Sequence, residues 1–169
     1  MSAGLPCTAS SSAAIVSSWA PRLSASLVKS AARAGSSVWA ASFEQYARTT
    51  GNQRAQVLAD TLDRATGTFL DENRSPGRRL GTVDNRGSHF YLALYWAREL
   101  AAQTDDPALA ADFTKLAESL GAQEETIAAE LLAVQGKPAD IGGYYWPDPV
   151  KTTAVMRPSA TLNAAIDSL

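Results

Sequence analysis

Four arginines lie close together in the middle of the chain, among residues that favour turns: Arg74, Arg78, Arg79 and Arg86. Ser75-Pro76-Gly77 and Gly81 interrupt any helix there and predict a loop. An arginine side chain offers a planar fork of donors that matches phosphate oxygens, and glycine lets a backbone approach an anion closely. The stretch therefore predicts an anion-binding loop. The plainer alternative is a set of solvated surface arginines in ordinary ion pairs.

The spacing of these residues excludes the two common phosphate-binding loops. The sequence contains neither GxxxxGK[ST] nor GxGxxG. An anion held here would be held mainly by arginine side chains.

The other candidates for chemistry have structural interpretations that we prefer. His89, the one histidine, stands where a helix begins and has no paired carboxylate, so we expect a capping or core-edge residue and not a general base. Asp84-Asn85-Arg86 predicts an internal hydrogen-bond cluster that fixes the loop. Asp105-Asp106 predicts a helix start and not a metal pair. Cys7 has no histidine near it in sequence and is not expected to be a nucleophile.

An aromatic run, Tyr144-Tyr145-Trp146, lies in a second loop that is rich in glycine and proline. We expect it to pack against the protein and close this loop. The alternative is that it forms the edge of a ligand pocket.

Composition predicts one globular domain and argues against nucleic acid as a partner. The 169 residues are 46% hydrophobic and 19% charged, and the formal net charge is -2. The charge is unevenly distributed, since all 17 acidic residues follow position 43 and face only 12 basic ones there. Residues 1–43 are formally +3, through Arg22, Lys29 and Arg33.

The cysteine count and the distribution of apolar residues exclude further kinds of protein. A single cysteine excludes an intrachain disulfide and a cysteine metal cluster. The sequence has no apolar run of about 18 residues, which argues against a transmembrane helix and membrane partner. We expect the cytoplasm as the location.

Residues 1–39 are rich in serine and alanine and show no sustained periodicity. We interpret them as a poorly ordered tail. An organellar transit peptide and an altered reading frame at the gene start are the alternatives, and a secretory signal is disfavoured because serine runs interrupt its apolar core.

Helical periodicity begins at Trp39 and predicts a mainly α fold. Trp39, Phe43, Tyr46 and Ala47 share one face. The following helices are expected over 53–65, with Gly67 just past the end, from about 89 to 102, over 106–121, over 123–134 and over 158–167. A short strand is expected near 80–83.

Several motifs carry a resemblance to a known family: SPGRR, DNRGSHFYLALYWA, AVQGKPADIGGYY and MRPSATLNAA. From about Ala40 to Leu169 the chain resembles the C-terminal end of the monomeric-type NADP-dependent isocitrate dehydrogenases. The resemblance implies a mainly α, C-terminal fragment of a larger two-domain α/β enzyme. That family oxidises isocitrate to 2-oxoglutarate with NADP and uses magnesium or manganese.

The resemblance also implies a role for one residue, Arg78, in the SP-x-R position that grips the 2′-phosphate of NADP. Arg79 is a less certain ligand. The family's histidine in an APKH-type stretch and its arginine in an LRWD-type stretch have no convincing match, since Ala20-Pro21-Arg22 only faintly echoes the first and Arg33 lies outside any such motif. No catalytic or metal-binding residue is identified in this chain.

Two hypotheses follow. In the first, this is a C-terminal segment that is inactive alone, whose partner is the N-terminal part of the enzyme, and whose packing surfaces are exposed without it. In the second, it is a free-standing helical module that binds a nucleotide or a partner protein through the arginine loop 74–86.

Overall fold

Seven helices make up the regular structure of residues 36–169, the part of the chain that this computed structural model describes. They are α1 (Ser36–Thr50), α2 (Gln53–Asp71), α3 (Asn85–Ala102), α4 (Pro107–Ala122), α5 (Glu124–Leu132), α6 (Pro149–Met156) and α7 (Ala160–Asp167). The predicted mainly α class is confirmed. Within these residues no strand occurs, so the strand expected near 80–83 was wrong. None of the seven helices is long and apolar enough to cross a bilayer.

Helix α3 is the centre of the core because its apolar residues occupy every side of it. It packs against α2 on one side and α4 on another, and α1 covers α2. The smaller α5 and α7 close the remaining sides of α3 and α4. The largest fully buried side chains of α3 are Phe90, Leu94, Trp96 and Leu100. A helix with no polar face is stable only where neighbours surround it, and α3 is surrounded in this way.

Trp96 joins three helices through one indole ring. Its side chain is 1% exposed, and its Nε1–H donates to Thr61 Oγ1 on α2 at 3.0 Å. The Thr61 hydroxyl in turn donates to the Val57 carbonyl at 2.7 Å, so it has an oxygen lone pair for the indole. Phe43 of α1 lies with its ring centroid 6.4 Å from that of Trp96. The buried indole N–H of Trp96 therefore has an acceptor inside the core.

Polar side chains begin most of the helices, as their sequence positions indicate. Asp106 precedes Pro107 and caps α4, because its side chain accepts from the Leu109 N–H. Ser159 caps α7 in the same way by accepting from the Leu162 N–H, so both predicted helix starts are confirmed. The cap of α3 is Asp84, so this helix begins at Asn85 and not near position 89 as expected. Asp106 also binds Arg54 at 2.6 Å, which ties the start of α4 to α2.

Three further helical expectations need correction. Helix α2 does not end before Gly67 but continues to Asp71 and ends ahead of Asn73, whose φ is +54°. A glycine inside a helix costs about 1 kcal/mol, and the burial of Leu62 and Ala65 in the same helix outweighs that cost. Helix α6 was not predicted, although Asp148-Pro149 repeats the Asp-Pro start of α4.

The third correction concerns α1, which begins at Ser36 and not at Trp39. Tyr46 is 52% exposed, although it was expected to face the core. Successive residues of a helix are about 100° apart, so a buried stripe centred on Ala40 and Ala47 leaves Tyr46 in solvent. The poorly ordered tail was expected over residues 1–39; residues 36–39 belong to α1, and residues 1–35 lie outside the described part of the chain.

The bond between Trp96 and Thr61 predicts the result of a substitution. Thr61→Val keeps the shape of the side chain but leaves the buried indole N–H without an acceptor, which should lower the free energy of unfolding by about 1–3 kcal/mol. Urea unfolding followed by circular dichroism measures this difference. Thr61→Ser keeps the hydroxyl and should lose only about 1 kcal/mol for the missing methyl group. Wild-type stability in Thr61→Val would contradict the proposed importance of this bond.

Candidate anion-binding loop

The arginine loop, residues 74–86, connects the end of α2 with the first turn of α3, and hydrogen bonds fix both of its ends. Ser88, in the first turn of α3, donates its hydroxyl to the Arg74 carbonyl at 2.7 Å. The Gly77 N–H donates to the Val83 carbonyl, also at 2.7 Å. These bonds fold the loop back on itself, so its tip has a defined position relative to α3.

Gln135, which follows α5, holds the tip of the loop from the other side. Its Oε1 accepts from the Gly81 N–H at 2.9 Å, and its Nε2 donates to the Thr82 carbonyl at 2.9 Å. Both functional groups of one amide are thus used on adjacent residues of the loop. Sequence reasoning missed this role because nothing local connects positions more than fifty residues apart.

Gly77 permits the tightest part of the loop. A Cβ at this position would lie 2.4 Å from Thr82 Oγ1, closer than any side chain could tolerate. Gly81 has a φ of +81°, which favours glycine for a second, conformational reason. The glycines that suggested close backbone approach to an anion therefore also allow the loop to close on itself.

Arg74 is not available to a ligand, because its side chain is used inside the protein. Its Nε donates to the Tyr95 hydroxyl at 3.2 Å, and the guanidinium lies 4.1 Å from the ring centroid of Tyr91. Glu72 and Glu124 lie 3.6 and 4.0 Å from its Nη2. The hydrogen bond with Tyr95 is the largest of the effects that raise the pKa of Arg74. Arg74 joins the loop to α3 and α5.

Arg86 has a similar structural task at the start of α3. Its Nε and Nη2 donate to Asp84 Oδ2 at 3.0 and 2.7 Å, and its Nη1 donates to the Val155 carbonyl of α6 at 3.2 Å. The predicted cluster is confirmed for Asp84 and Arg86, whereas Asn85 is exposed. Burial alone would raise the pKa of Asp84, but the bonds from Arg86 and the Gly87 N–H and the charge of Arg86 together lower it.

Arg78 and Arg79 differ from the other two arginines. Both are exposed, and neither guanidinium has a hydrogen bond or an ion pair with another residue of 36–169. The Arg79 carbonyl accepts from Thr82, which fixes its backbone and leaves its side chain accessible. The loop therefore presents two adjacent cations to solvent on a backbone that is held from both sides.

The remaining candidates do not form a reactive site. His89 is half-buried, and burial lowers its pKa, with partial opposition from the charge of Asp84. This position agrees with the expected core-edge role. Cys7, Arg22 and Arg33 lie outside the described residues. Within residues 36–169, no group of three or more histidine, cysteine, aspartate or glutamate residues could hold a metal ion.

The expected packing of the aromatic run was wrong. Tyr144, Tyr145 and Trp146 are 86%, 94% and 91% exposed. Residues 36–169 therefore leave these three side chains almost entirely open to solvent.

The Asp84–Arg86 pair predicts a pH-dependent effect. Asp84→Asn keeps an oxygen to cap α3 but loses the ion pair, and it should destabilise the protein by about 1–2 kcal/mol at neutral pH. Because the folded pKa of Asp84 is lowered, its contribution is complete above about pH 4 and is lost as the pH falls through that lower pKa. Urea unfolding at several pH values should show the two proteins converging in acid. A pH-independent difference would contradict this assignment.

Comparison with known proteins identifies the family. The family model described as monomeric isocitrate dehydrogenase matches residues 36–167. The chain is 58% identical over 130 residues to isocitrate dehydrogenase (NADP) 2 of Colwellia maris, and 57% identical over 129 residues to the Mycobacterium tuberculosis protein of the same name. These matches cover 77% and 76% of this chain but only 18% and 17% of the relatives. The chain thus spans less than a fifth of those relatives, and it belongs to the monomeric isocitrate dehydrogenase family.

Proposed function

We propose that this chain is the C-terminal segment of an NADP-dependent isocitrate dehydrogenase, that it supplies part of the site for the NADP 2′-phosphate, and that it is inactive alone. The enzyme would oxidise isocitrate and release carbon dioxide to give 2-oxoglutarate. One observation carries the assignment of the site. Arg78, like the adjacent Arg79, is exposed and its guanidinium has no partner among residues 36–169, whereas Arg74 and Arg86 form ion pairs within the protein.

The chemistry of Arg78 suits the 2′-phosphate. This group distinguishes NADP from NAD, and a guanidinium fork can give two charge-assisted hydrogen bonds to its oxygens. Arg79 adds a second positive charge beside it. The bonds from Gln135 and Ser88 hold the backbone before a ligand arrives, so less conformational freedom is lost on binding.

The rest of the reaction requires groups from elsewhere. Arg78 is one arginine of a clamp that, by the resemblance, also needs a histidine and a second arginine. Residues 36–169 contain no group of three or more histidine, cysteine, aspartate or glutamate side chains that could bind the magnesium or manganese used by the family. This segment would therefore position the cofactor, and the remaining parts of the enzyme would bind the metal and isocitrate. The cytoplasm stays the predicted location.

A free-standing module remains the second candidate. The arginine loop is fixed by residues of this chain alone, since Gln135, Ser88 and Asp84 supply the hydrogen bonds that hold it. Such a loop could bind a phosphorylated nucleotide, or an acidic partner protein, without other domains. The two candidates differ in whether the isolated chain binds NADP.

Calorimetric titration of the 169-residue chain with NADP and with NAD separates these candidates. We expect a helical circular dichroism spectrum without NADP-selective binding, because a single arginine of the clamp supplies too little affinity. Saturable binding that prefers NADP over NAD would instead support the free-standing module.

A chimera tests Arg78 itself. Residues 36–167 would replace the matching segment of the Mycobacterium tuberculosis relative, and NADP and NAD affinities would be measured by calorimetry. Arg78→Ala should cost about 1.5–3 kcal/mol of NADP affinity and leave NAD affinity nearly unchanged, because a charge-assisted phosphate contact is lost. Arg79→Ala is the matched control and should cost less. Unchanged NADP affinity in the Arg78→Ala chimera would remove this residue from the site.

A further inference from the structure

The aromatic segment, residues 140–156, comprises the second glycine-rich loop and α6. Its large apolar side chains face solvent: Tyr144, Tyr145, Trp146 and Val150 are at least three-quarters exposed, and Met156 is 42% exposed. Scattered exposed hydrophobic residues are ordinary, but a contiguous run that contains tryptophan and two tyrosines marks an interaction surface. These residue types also dominate the binding energy of protein interfaces.

Helix α6 supports the same conclusion independently. It is the only one of the seven helices in residues 36–169 without a buried residue. A helix of eight residues is too short to be stable in water unless it packs against something. Thr152 and Val155 are half-buried, whereas Val150 and Met156 are exposed, so residues 36–169 cover this helix on one side only.

The segment nevertheless has a defined shape. The Asp148 N–H donates to the Ile141 carbonyl at 2.7 Å, and Asp140 accepts from the Gly142 N–H at 2.9 Å and from Lys151 Nζ at 2.6 Å. Asp148 caps α6 through the Val150 and Lys151 N–H groups. Polar bonds thus fix the backbone while the aromatic side chains point outward. A surface that is ordered before binding loses little entropy when a partner docks.

The position of the segment connects it with the arginine loop. Arg86, beside the cap of α3, donates to the Val155 carbonyl of α6 at 3.2 Å. A body that covers the aromatic segment would therefore lie next to the loop that carries Arg78. Lys151 of α6 and Asp140 of the loop form an ion pair with each other inside the segment, so docking would depend mainly on apolar contact.

We infer that the aromatic segment is the surface on which the remainder of the isocitrate dehydrogenase fold packs against this chain. This inference rests on the proposed function. The length of the relatives indicates the occupant, since the matches cover 77% of this chain but only 18% of the Colwellia maris protein. Most of the family fold thus lies outside the matched residues and can supply an apolar face to cover this segment. Docking there would complete the domain and bring the other cofactor-binding groups toward Arg78.

The fluorescence of Trp146 tests the inference directly. Acrylamide quenching would be compared in the free 169-residue chain and in the chimera described above, with Trp146→Phe in each to isolate the signal of this residue. In the free chain Trp146 should emit at long wavelength and be readily quenched. In the chimera its emission should shift to shorter wavelength, and its quenching should fall several-fold. Equal quenching in both proteins would overturn the inference.

A pair of substitutions gives a second measurement. Tyr145→Ser combined with Trp146→Ser should lower the Tm of the chimera and leave the Tm of the free chain unchanged, because both side chains are almost fully exposed in the free chain. Trp146→Phe should largely preserve the Tm of the chimera. Equal effects of the double substitution in both contexts would assign these residues a local structural role and contradict docking.

Different outcomes separate this inference from the proposed function. A chimera that protects Trp146 but binds NADP no better than NAD would support docking and refute the role of Arg78. A chimera that prefers NADP while Trp146 stays fully quenchable would refute docking alone. Light scattering completes the test, since a dimer of the free chain with protected Trp146 would assign the surface to a second copy and overturn the inference.

Discussion

Burial of α3 is the constraint on which the rest of this structure depends. The helix carries apolar side chains on every side, so it must be enclosed by α2, α4 and the smaller helices around them. Trp96 shows how completely this is achieved, because even its indole N–H finds an acceptor inside the core. The start of α3 then has one possible position, and the arginine loop that leads into it is positioned by the same packing.

The arginine loop shows how similar residues acquire different roles from their surroundings. Arg74 and Arg86 meet carboxylates, an aromatic ring and a carbonyl within the protein, and they hold the loop and α6 against α3. Arg78 and Arg79 meet no such groups and remain exposed. The first pair supplies rigidity and the second pair supplies accessible charge. A phosphate site benefits from both, because a fixed cation binds with a smaller entropic cost.

The protein has a well-packed core around α3 and one surface segment whose aromatic side chains are exposed. The helices around α3 bury its aromatic rings and give the Trp96 indole an acceptor, whereas the segment 140–156 presents two tyrosines and a tryptophan to solvent. Both features agree with a family whose members are several times longer than this chain. The core would have been selected to hold this region together, and the aromatic edge to join it to its neighbours.

Local signals determined much of this protein without any structure. The motifs from SPGRR to MRPSATLNAA indicated the family, helical spacing indicated the mainly α class, and Asp106-Pro107 and Ser159 marked helix starts because capping depends on adjacent residues. Only the tertiary structure decided which arginines are accessible, since Tyr95, Glu124 and Gln135 are remote in sequence from the loop that they hold. It also decided that Tyr144, Tyr145 and Trp146 are exposed. A residue type predicts a preference for burial, but exposure depends on which other elements lie over it, and that is a property of the whole fold.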